Sequence, residues 1–306
     1  MKFVTYQHVD GSLRSGWIEG NDVVDMEKAS HGKLPNNLLH FLQQQKEGWP
    51  LVHQLHHKND FPKECRQPLD QVILSSPLPC PPSVRDFYAF EEHVRKARQN
   101  RGLDMVPEWY EFPAFYFTNH HAIQGSGEVI KRPKQCRWLD YELEIACVIG
   151  RKGRDIPAEE AESYIFGYCI MNDWSARDIQ IKEMKVGLGP AKGKDFATSL
   201  GPWLVTKDEL EPFRAGDRYD LEMSAQVNGQ ELSRGNMRDL HFSFSSMIQR
   251  ASEGATLYPG DVIGSGTVGT GCILELGTEV HPWLQPGDEV ALSITGLGVL
   301  HNRIEE

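Results

Sequence analysis

Leu139-Asp140-Tyr141-Glu142-Leu143-Glu144-Ile145-Ala146-Cys147-Val148-Ile149 is the stretch on which the fold of this chain turns. From Ile145 to Ile149 the run is apolar and rich in β-branched residues. It reads as a strand, in which residues i and i+2 point to the same face. Glu142 and Glu144 therefore share one side. Two carboxylates this close repel unless a cation or protons lie between them, which suggests a hard-metal site for Mg2+, Mn2+ or Ca2+. The same pair also fits a strand leaving the core with both acids solvated.

A second acidic segment follows downstream, Gly167-Tyr168-Cys169-Ile170-Met171-Asn172-Asp173-Trp174-Ser175-Ala176-Arg177-Asp178-Ile179-Gln180. It begins as a short apolar strand and ends in a charged, helix-compatible turn, with Asp173 where the strand ends. Ligand sites gather at strand ends and the loops beyond them. Asp173 would add a third oxygen donor, and Glu142, Glu144 and Asp173 suffice for an octahedral ion that keeps positions open for water or substrate. Taken singly, Asn172-Asp173 also fits a turn or a helix cap.

Outward from these segments, residues 1 to about 30 alternate short strands with turns such as Asp10-Gly11 and Gly20-Asn21-Asp22. A helix is expected from Pro35-Asn36-Asn37-Leu38 to Leu42, and a second amphipathic stretch near Pro50 to Lys58. Val72-Ile73-Leu74-Ser75 reads as a strand, and Pro77-Leu78-Pro79-Cys80-Pro81-Pro82 is a stiff, extended break. The boundary is set between residues 1–72, a small N-terminal α+β domain, and residues 73–306. Beyond it the pattern is short strands between Gly and Pro turns, with a hairpin signal at Asn228-Gly229 and a helix over Leu240 to Ala251. Gly271-Cys272-Ile273-Leu274-Glu275-Leu276 reads as strand and turn. The fold class is α+β, strand-dominated.

With 306 residues, 40% hydrophobic and 25% charged, the chain can bury a sizeable core as one large domain with an appendage. No segment approaches the roughly 20 continuous apolar residues that span a bilayer, and the start, Met1-Lys2-Phe3-Val4-Thr5-Tyr6, lacks the apolar stretch expected of a secretion signal. A soluble, cytoplasmic protein is expected. The net charge of -11 argues against nucleic-acid or anionic-membrane partners, whose surfaces need clustered Lys and Arg. Cys65, Cys80, Cys136, Cys147, Cys169 and Cys272 have no C-x-x-C spacing, so reduced, mostly buried thiols are expected. His53, His56 and His57 fall on an expected helix without acidic or thiol partners and read as structural or surface histidines.

Asp86-Phe87-Tyr88 followed by His93, the Glu142/Glu144 strand, Asn172 to Gln180, Gly193-Lys194-Asp195-Phe196-Ala197-Thr198, and Gly264-Ser265-Gly266-Thr267 with Leu274-Glu275 together resemble the fumarylacetoacetate hydrolase family, in the family's order and over most of the chain. The resemblance implies a divalent-metal enzyme acting on β-diketo acids, acylpyruvates or related enolisable oxoacids. Family members cleave C–C bonds by hydrolysis, decarboxylate, isomerise or hydrate. It also implies a catalytic domain of the family's mixed β-sandwich roll, with curled sheets, and a homodimer.

Residue by residue, the resemblance makes Asp86, Glu142, Glu144 and Asp173 metal carboxylates, with Lys194 and Thr198 completing the metal site. Arg177 and Lys194 match the nearby cations, Lys194 also as a substrate or oxyanion contact; in isolation it fits a surface lysine in a Gly-rich loop. His93 matches the general base and Glu275 the acid that orients it. Tyr88, Tyr116, Gln180 and Thr267 match substrate-binding positions. Met184 stands where fumarylacetoacetate-cleaving members have a tyrosine, and Arg98 and Arg101 are the candidates for holding a substrate carboxylate. In the acylpyruvase-like branch the histidine's glutamate partner lies three residues on, where this chain has Lys96. The expected activity is hydrolysis of a C–C bond in a β-diketo acid, an acylpyruvate or fumarylacetoacetate-like substrate, on Mg2+ or Mn2+, with Ca2+ a further candidate. The alternatives are decarboxylation of an oxaloacetate-like acid, or isomerisation or hydration of a dienoate from aromatic breakdown.

Overall fold

A computed structural model describes residues 1–58 and 61–306. Its frame is a twelve-stranded mixed sheet. Along the main path lie Arg66–Pro68, Asp22–Asp25, Leu13–Glu19, Lys2–Gln7, Thr198–Thr206, Ile165–Asn172, Leu143–Ile149, Val262–Gly264, Val84–Phe87 and Phe115–Phe117. Lys2–Gln7 runs antiparallel to Thr198–Thr206, so the strands of the first 72 residues continue the sheet of the later ones. A second, five-stranded sheet orders Gln230–Asn236, Glu222–Val227, Glu289–Ile294, Gly298–Glu305 and Val129–Lys131. The chain is mixed α+β and dominated by strands.

Strand Leu143–Ile149 is buried at every position, which is why its sequence reads as a continuous apolar run rather than an alternating one. Leu143, Ile145, Cys147 and Ile149 enter the large core between the sheets. Ala146 and Val148 point the other way, into a core shared with Phe3, Trp17, Leu38 and Phe41. Glu144 is in phase with Ala146 and Val148, so its carboxylate emerges on the face opposite the large core.

Local chemistry sets the other elements. Helix Leu38–Gln43 starts where the Asn37 side chain accepts the His40 amide, and helix Phe244–Ser252 starts where Ser243 accepts that of Ser246, four residues later than the apolar pattern suggested. The hairpin closes at Asn228-Gly229, both in the left-handed region (φ 52° and 80°), as a two-residue type I′ turn requires. The His53, His56 and His57 segment lies on helix Gln45–Lys58. One expectation about it fails: the fold brings Glu19 to 2.7 Å from His56 Nδ1, an acidic partner supplied by a distant strand. All six cysteines are free, with only Cys80 exposed.

A larger correction concerns Glu275. Its segment is a short helix, Ile273–Leu276, rather than a strand. The Asp140 carboxylate accepts the amides of Ile273 at 2.8 Å and Leu274 at 3.1 Å. Gly277 then ends the turn with φ 92°, which suits glycine.

Candidate active site

Three central strands carry the acids. Asp173 directly follows strand Ile165–Asn172, Glu142 and Glu144 flank the first residue of Leu143–Ile149, and Asp86 lies in Val84–Phe87. Between the last two runs Val262–Gly264, and Gly264 pairs directly with Asp86. A Cβ at Gly264 would sit 2.8 Å from Asp86 Oδ1 and 2.7 Å from Met171 Sδ, so only glycine leaves this carboxylate its room. Asn172 accepts the Glu142 amide through its side-chain oxygen at 2.9 Å, fixing the turn into the strand.

One oxygen from each of Asp86, Glu142, Glu144 and Asp173 can be chosen so that all four lie within 4.8 Å of one another. All four residues are buried. Asp86 Oδ1, Glu144 Oε2, Asp173 Oδ1 and Thr198 Oγ1 are buried without a hydrogen-bond partner. Such atoms cost free energy unless something satisfies them. With Asp140, five buried carboxylates face two buried cations, Lys194 and Arg177, leaving three negative charges uncompensated when all are ionised. A hard divalent cation fits this all-oxygen donor set.

The charges polarise the cluster. Burial, then Asp173, pushes the Asp86 carboxyl well above its usual range; burial, then Asp86 and Glu142, does the same to Glu144. Burial raises Asp173 too, though Lys194 opposes it. At Glu142 burial is outweighed by Arg177 and Lys194, which hold it below the carboxylate range. Arg177 donates from Nη2 to Glu142 at 2.7 Å and from Nε to Asp140 at 2.9 Å. Lys194 Nζ donates to Glu142 and Asp173, each at 2.5 Å. Burial disfavours the Lys194 charge, but Asp173 and Glu142 win and keep it an ammonium. In this geometry Lys194 therefore meets the carboxylate cluster as a charge partner of Glu142 and Asp173.

His93 Nδ1 lies 2.5 Å from Glu275 Oε1, both buried. The second Glu275 oxygen accepts the Thr270 amide at 3.0 Å, and the Cys272 thiol is 3.6 Å from Oε1. A carboxylate accepts at Nδ1, so in the neutral ring that nitrogen carries the proton and Nε2 the lone pair. Glu142 lies within electrostatic reach of the His93 ring, which sets the His93–Glu275 pair and the carboxylate cage side by side. Tyr88 meets the His93 ring edge-on, with centroids 5.3 Å apart, and burial pushes its phenol up to about 12.

Other expected residues also converge. Tyr116 donates to Asp173 Oδ2 at 2.6 Å, Thr267 to Glu144 Oε1 at 3.3 Å, and Gln180 Oε1 accepts from Arg177 Nη1 at 3.0 Å. Thr198 opens the strand whose Ser199 pairs with Asn172, beside Asp173. Met184 is exposed, and Lys96 points to solvent. Arg98 donates to the Asp104 carbonyl at 2.5 Å and Arg101 to the Ala97 carbonyl at 3.0 Å; of the two, it is the Arg101 charge that reaches Tyr88. The sequence reading gave Asp140 no role, although the signal was present: Asp140, Glu142 and Glu144 repeat at i, i+2, i+4.

The chain is 29% identical over 300 residues to the fumarylacetoacetase of Oryza sativa subsp. japonica, covering 78% of this chain and 70% of that protein. It is 29% identical over 317 residues to the oxaloacetate tautomerase YisK of Bacillus subtilis, covering 99% and 100%. The solved fumarylacetoacetate hydrolase of psychrophilic Exiguobacterium antarcticum superposes with a TM-score of 0.77 at 28% identity, covering 100% of this chain and 99% of that one. The family model described as fumarylacetoacetate (FAA) hydrolase C-terminal matches residues 83–305, the span that holds every residue of the cage and of the His93–Glu275 pair, and the chain belongs to the fumarylacetoacetate hydrolase family.

Proposed function

We propose that this protein is a divalent-metal-dependent hydrolase that cleaves a C–C bond in a β-diketo acid, an acylpyruvate or fumarylacetoacetate-like substrate. The observation that carries this reading is the 2.5 Å His93–Glu275 pair beside a buried, under-compensated carboxylate cage. Asp86, Glu142, Glu144 and Asp173 would hold Mg2+ or Mn2+, with Thr198 next to them. When bound, the cation supplies Lewis acidity toward the oxoacid's chelating oxygens. Glu275 keeps the proton on Nδ1, so His93 Nε2 accepts a proton from water as its oxygen attacks the acyl carbonyl carbon. The C–C bond breaks with its electron pair passing to the enolate, and His93 returns the proton to the enolate carbon. Lys194 and Gln180 would supply the cation and the donor that the developing enolate charge needs. Arg101 is the side chain suited to a substrate carboxylate.

The end-to-end match to an oxaloacetate tautomerase favours a second reading, enolisation of an oxaloacetate-like acid, in which protons move without water attack. Decarboxylation of such an acid, or isomerisation or hydration of a dienoate, uses the same cage. A spectrophotometric screen against acylpyruvates, fumarylacetoacetate and oxaloacetate, with Mg2+ or Mn2+ and then with chelator, separates these. Metal-dependent release of pyruvate or acetoacetate from a diketo acid supports hydrolysis. Keto–enol exchange, CO2 or a rearranged product, with no hydrolysis, refutes it. His93→Ala should abolish hydrolysis. We further propose a cytoplasmic homodimer with no nucleic-acid or membrane partner; a monomeric mass by light scattering would refute the dimer.

A further inference from the structure

We propose that Asp140 is a positioning residue that couples the carboxylate cage to the His93–Glu275 pair, so that cation binding in one half of the site tightens the other. The inference rests on the metal reading above and goes beyond it.

Asp140 ends the two-residue strand Leu139–Asp140, and its side chain is fully buried. Toward the cage, Oδ2 accepts Arg177 Nε at 2.9 Å, and the same guanidinium donates to Glu142 Oε1 at 2.7 Å. Toward the base, Oδ1 accepts the Ile273 amide at 2.8 Å and Oδ2 that of Leu274 at 3.1 Å. These two amides open the helix that carries Glu275. The residue preceding the helix, Cys272, makes no side-chain cap; its thiol is turned to Glu275 instead. The helix is therefore started by a carboxylate 133 positions away in sequence, and that carboxylate is held by the cage's own arginine.

The resulting path is contiguous: Glu142 to Arg177, to Asp140, to the Ile273 and Leu274 amides, to Glu275 and His93. Every hydrogen bond across it is 3.1 Å or shorter. Buried polar networks of this kind are stiff, because no solvent stands in for a lost partner. Glu142 divides its charge between Arg177, Lys194 and whatever cation enters. When a cation draws on Glu142, Arg177 leans more heavily on Asp140, and Asp140 in turn fixes the first amides of the Glu275 helix. Partners behind the directly acting groups are commonly worth about 10- to 100-fold in affinity or activity.

Asp140→Asn cuts the path at the oxygen that both halves share. Its amide oxygen can still accept from Ile273, while its NH2 confronts both the Arg177 Nε–H and the Leu274 amide, donor against donor. The test combines calorimetric Mg2+ titration, hydrogen–deuterium exchange of residues 272–277 with and without Mg2+, and steady-state kinetics, on the full chain. Wild type is expected to bind Mg2+ and to exchange the Ile273 and Leu274 amides several-fold more slowly when loaded. In D140N that slowing should vanish although Mg2+ still binds, and kcat should fall about tenfold or more with KM little changed. Binding that leaves the wild-type amides unchanged overturns the coupling and needs no variant. D140N turning over like wild type overturns it as well. No Mg2+ or Mn2+ heat in wild type overturns the metal reading itself, and the coupling with it.

Discussion

Loading the cage with Mg2+ or Mn2+ should expel protons. In the metal-free protein, burial and neighbouring carboxylates push Asp86 and Glu144 well above the ordinary range, so protons stand where a cation would. A carboxylate must be ionised to ligate, and binding is therefore linked to deprotonation. Each proton released makes the affinity rise about tenfold, roughly 1.4 kcal/mol, per pH unit while the group is protonated in the metal-free state. With these two groups and Asp173, which is raised less far, the slope of log affinity against pH should lie between about one and three on the acid side and flatten once all have ionised. Glu142, already held ionised by Arg177 and Lys194, should contribute nothing to that slope.

Calorimetry in two buffers of different ionisation enthalpy counts the protons directly. The stability profile gives an independent check. A carboxyl raised in the folded state adds stability that is complete below its unfolded value, about 4, and is lost as pH climbs through the raised folded value. The metal-free protein should thus lose Tm as pH rises from that range, and Mg2+ should restore it most where the loss is greatest. Glu142 acts oppositely, its contribution fading only as pH falls below about 4. Zero proton release together with a pH-independent affinity from weakly acidic to weakly alkaline pH would refute the argument that Asp86 and Glu144 hold protons until a cation displaces them.

Three further outcomes follow from the same geometry. Glu275→Gln should lower hydrolytic turnover by about 10²–10⁴-fold while calorimetric Mg2+ affinity stays near wild type; a parallel fall in affinity would mean that Glu275 serves the cage. Lys194→Met removes both 2.5 Å contacts and should destabilise the metal-free fold by up to about 3–5 kcal/mol, read by urea unfolding, with the loss largely recovered in saturating Mg2+; unchanged stability would show that Glu142 and Asp173 do not depend on the ammonium. Gly264→Ala drives a methyl to 2.8 Å from Asp86 Oδ1, so Mg2+ affinity should fall and stability drop by about 1–3 kcal/mol, with wild-type affinity refuting the steric account.

What was legible in the sequence was what repeats locally. The two-residue phase of Glu142 and Glu144, the apolar run to Ile149 and the strand-end position of Asp173 follow from backbone geometry alone. The Asn228-Gly229 hairpin and the helix starts likewise depend on residues within a few positions. Glu275 was misplaced on a strand because its helix has no local start signal: the acceptor for its first amides is Asp140, from a distant segment. His56 looked unpartnered for the same reason, since Glu19 reaches it only through the fold. Lys194 could be placed among the metal residues by resemblance, yet its pairing as a cation with Glu142 and Asp173 needed the burial and the two carboxylates that the structure supplies.

The cage would be a poor way to build a core. Removing a partner from a buried ion pair is costly, and even an intact pair often stabilises less than apolar residues of similar volume. Here the imbalance is intrinsic: five buried carboxylates share two buried cations, and several oxygens bond to nothing. The surrounding fold offsets this excess, with Leu143, Ile145, Cys147 and Ile149 packed on one side of the strand and Ala146 and Val148 on the other. The cations present are spent on particular acids: Arg177 on Asp140 and Glu142, Lys194 on Glu142 and Asp173. Asp86 and Glu144 receive neither. A lysine or arginine beside that pair would stabilise the metal-free protein, and would also fill the position from which a divalent ion could reach all four carboxylates. The stability forgone at Asp86 and Glu144 is therefore the free energy that a bound cation would recover.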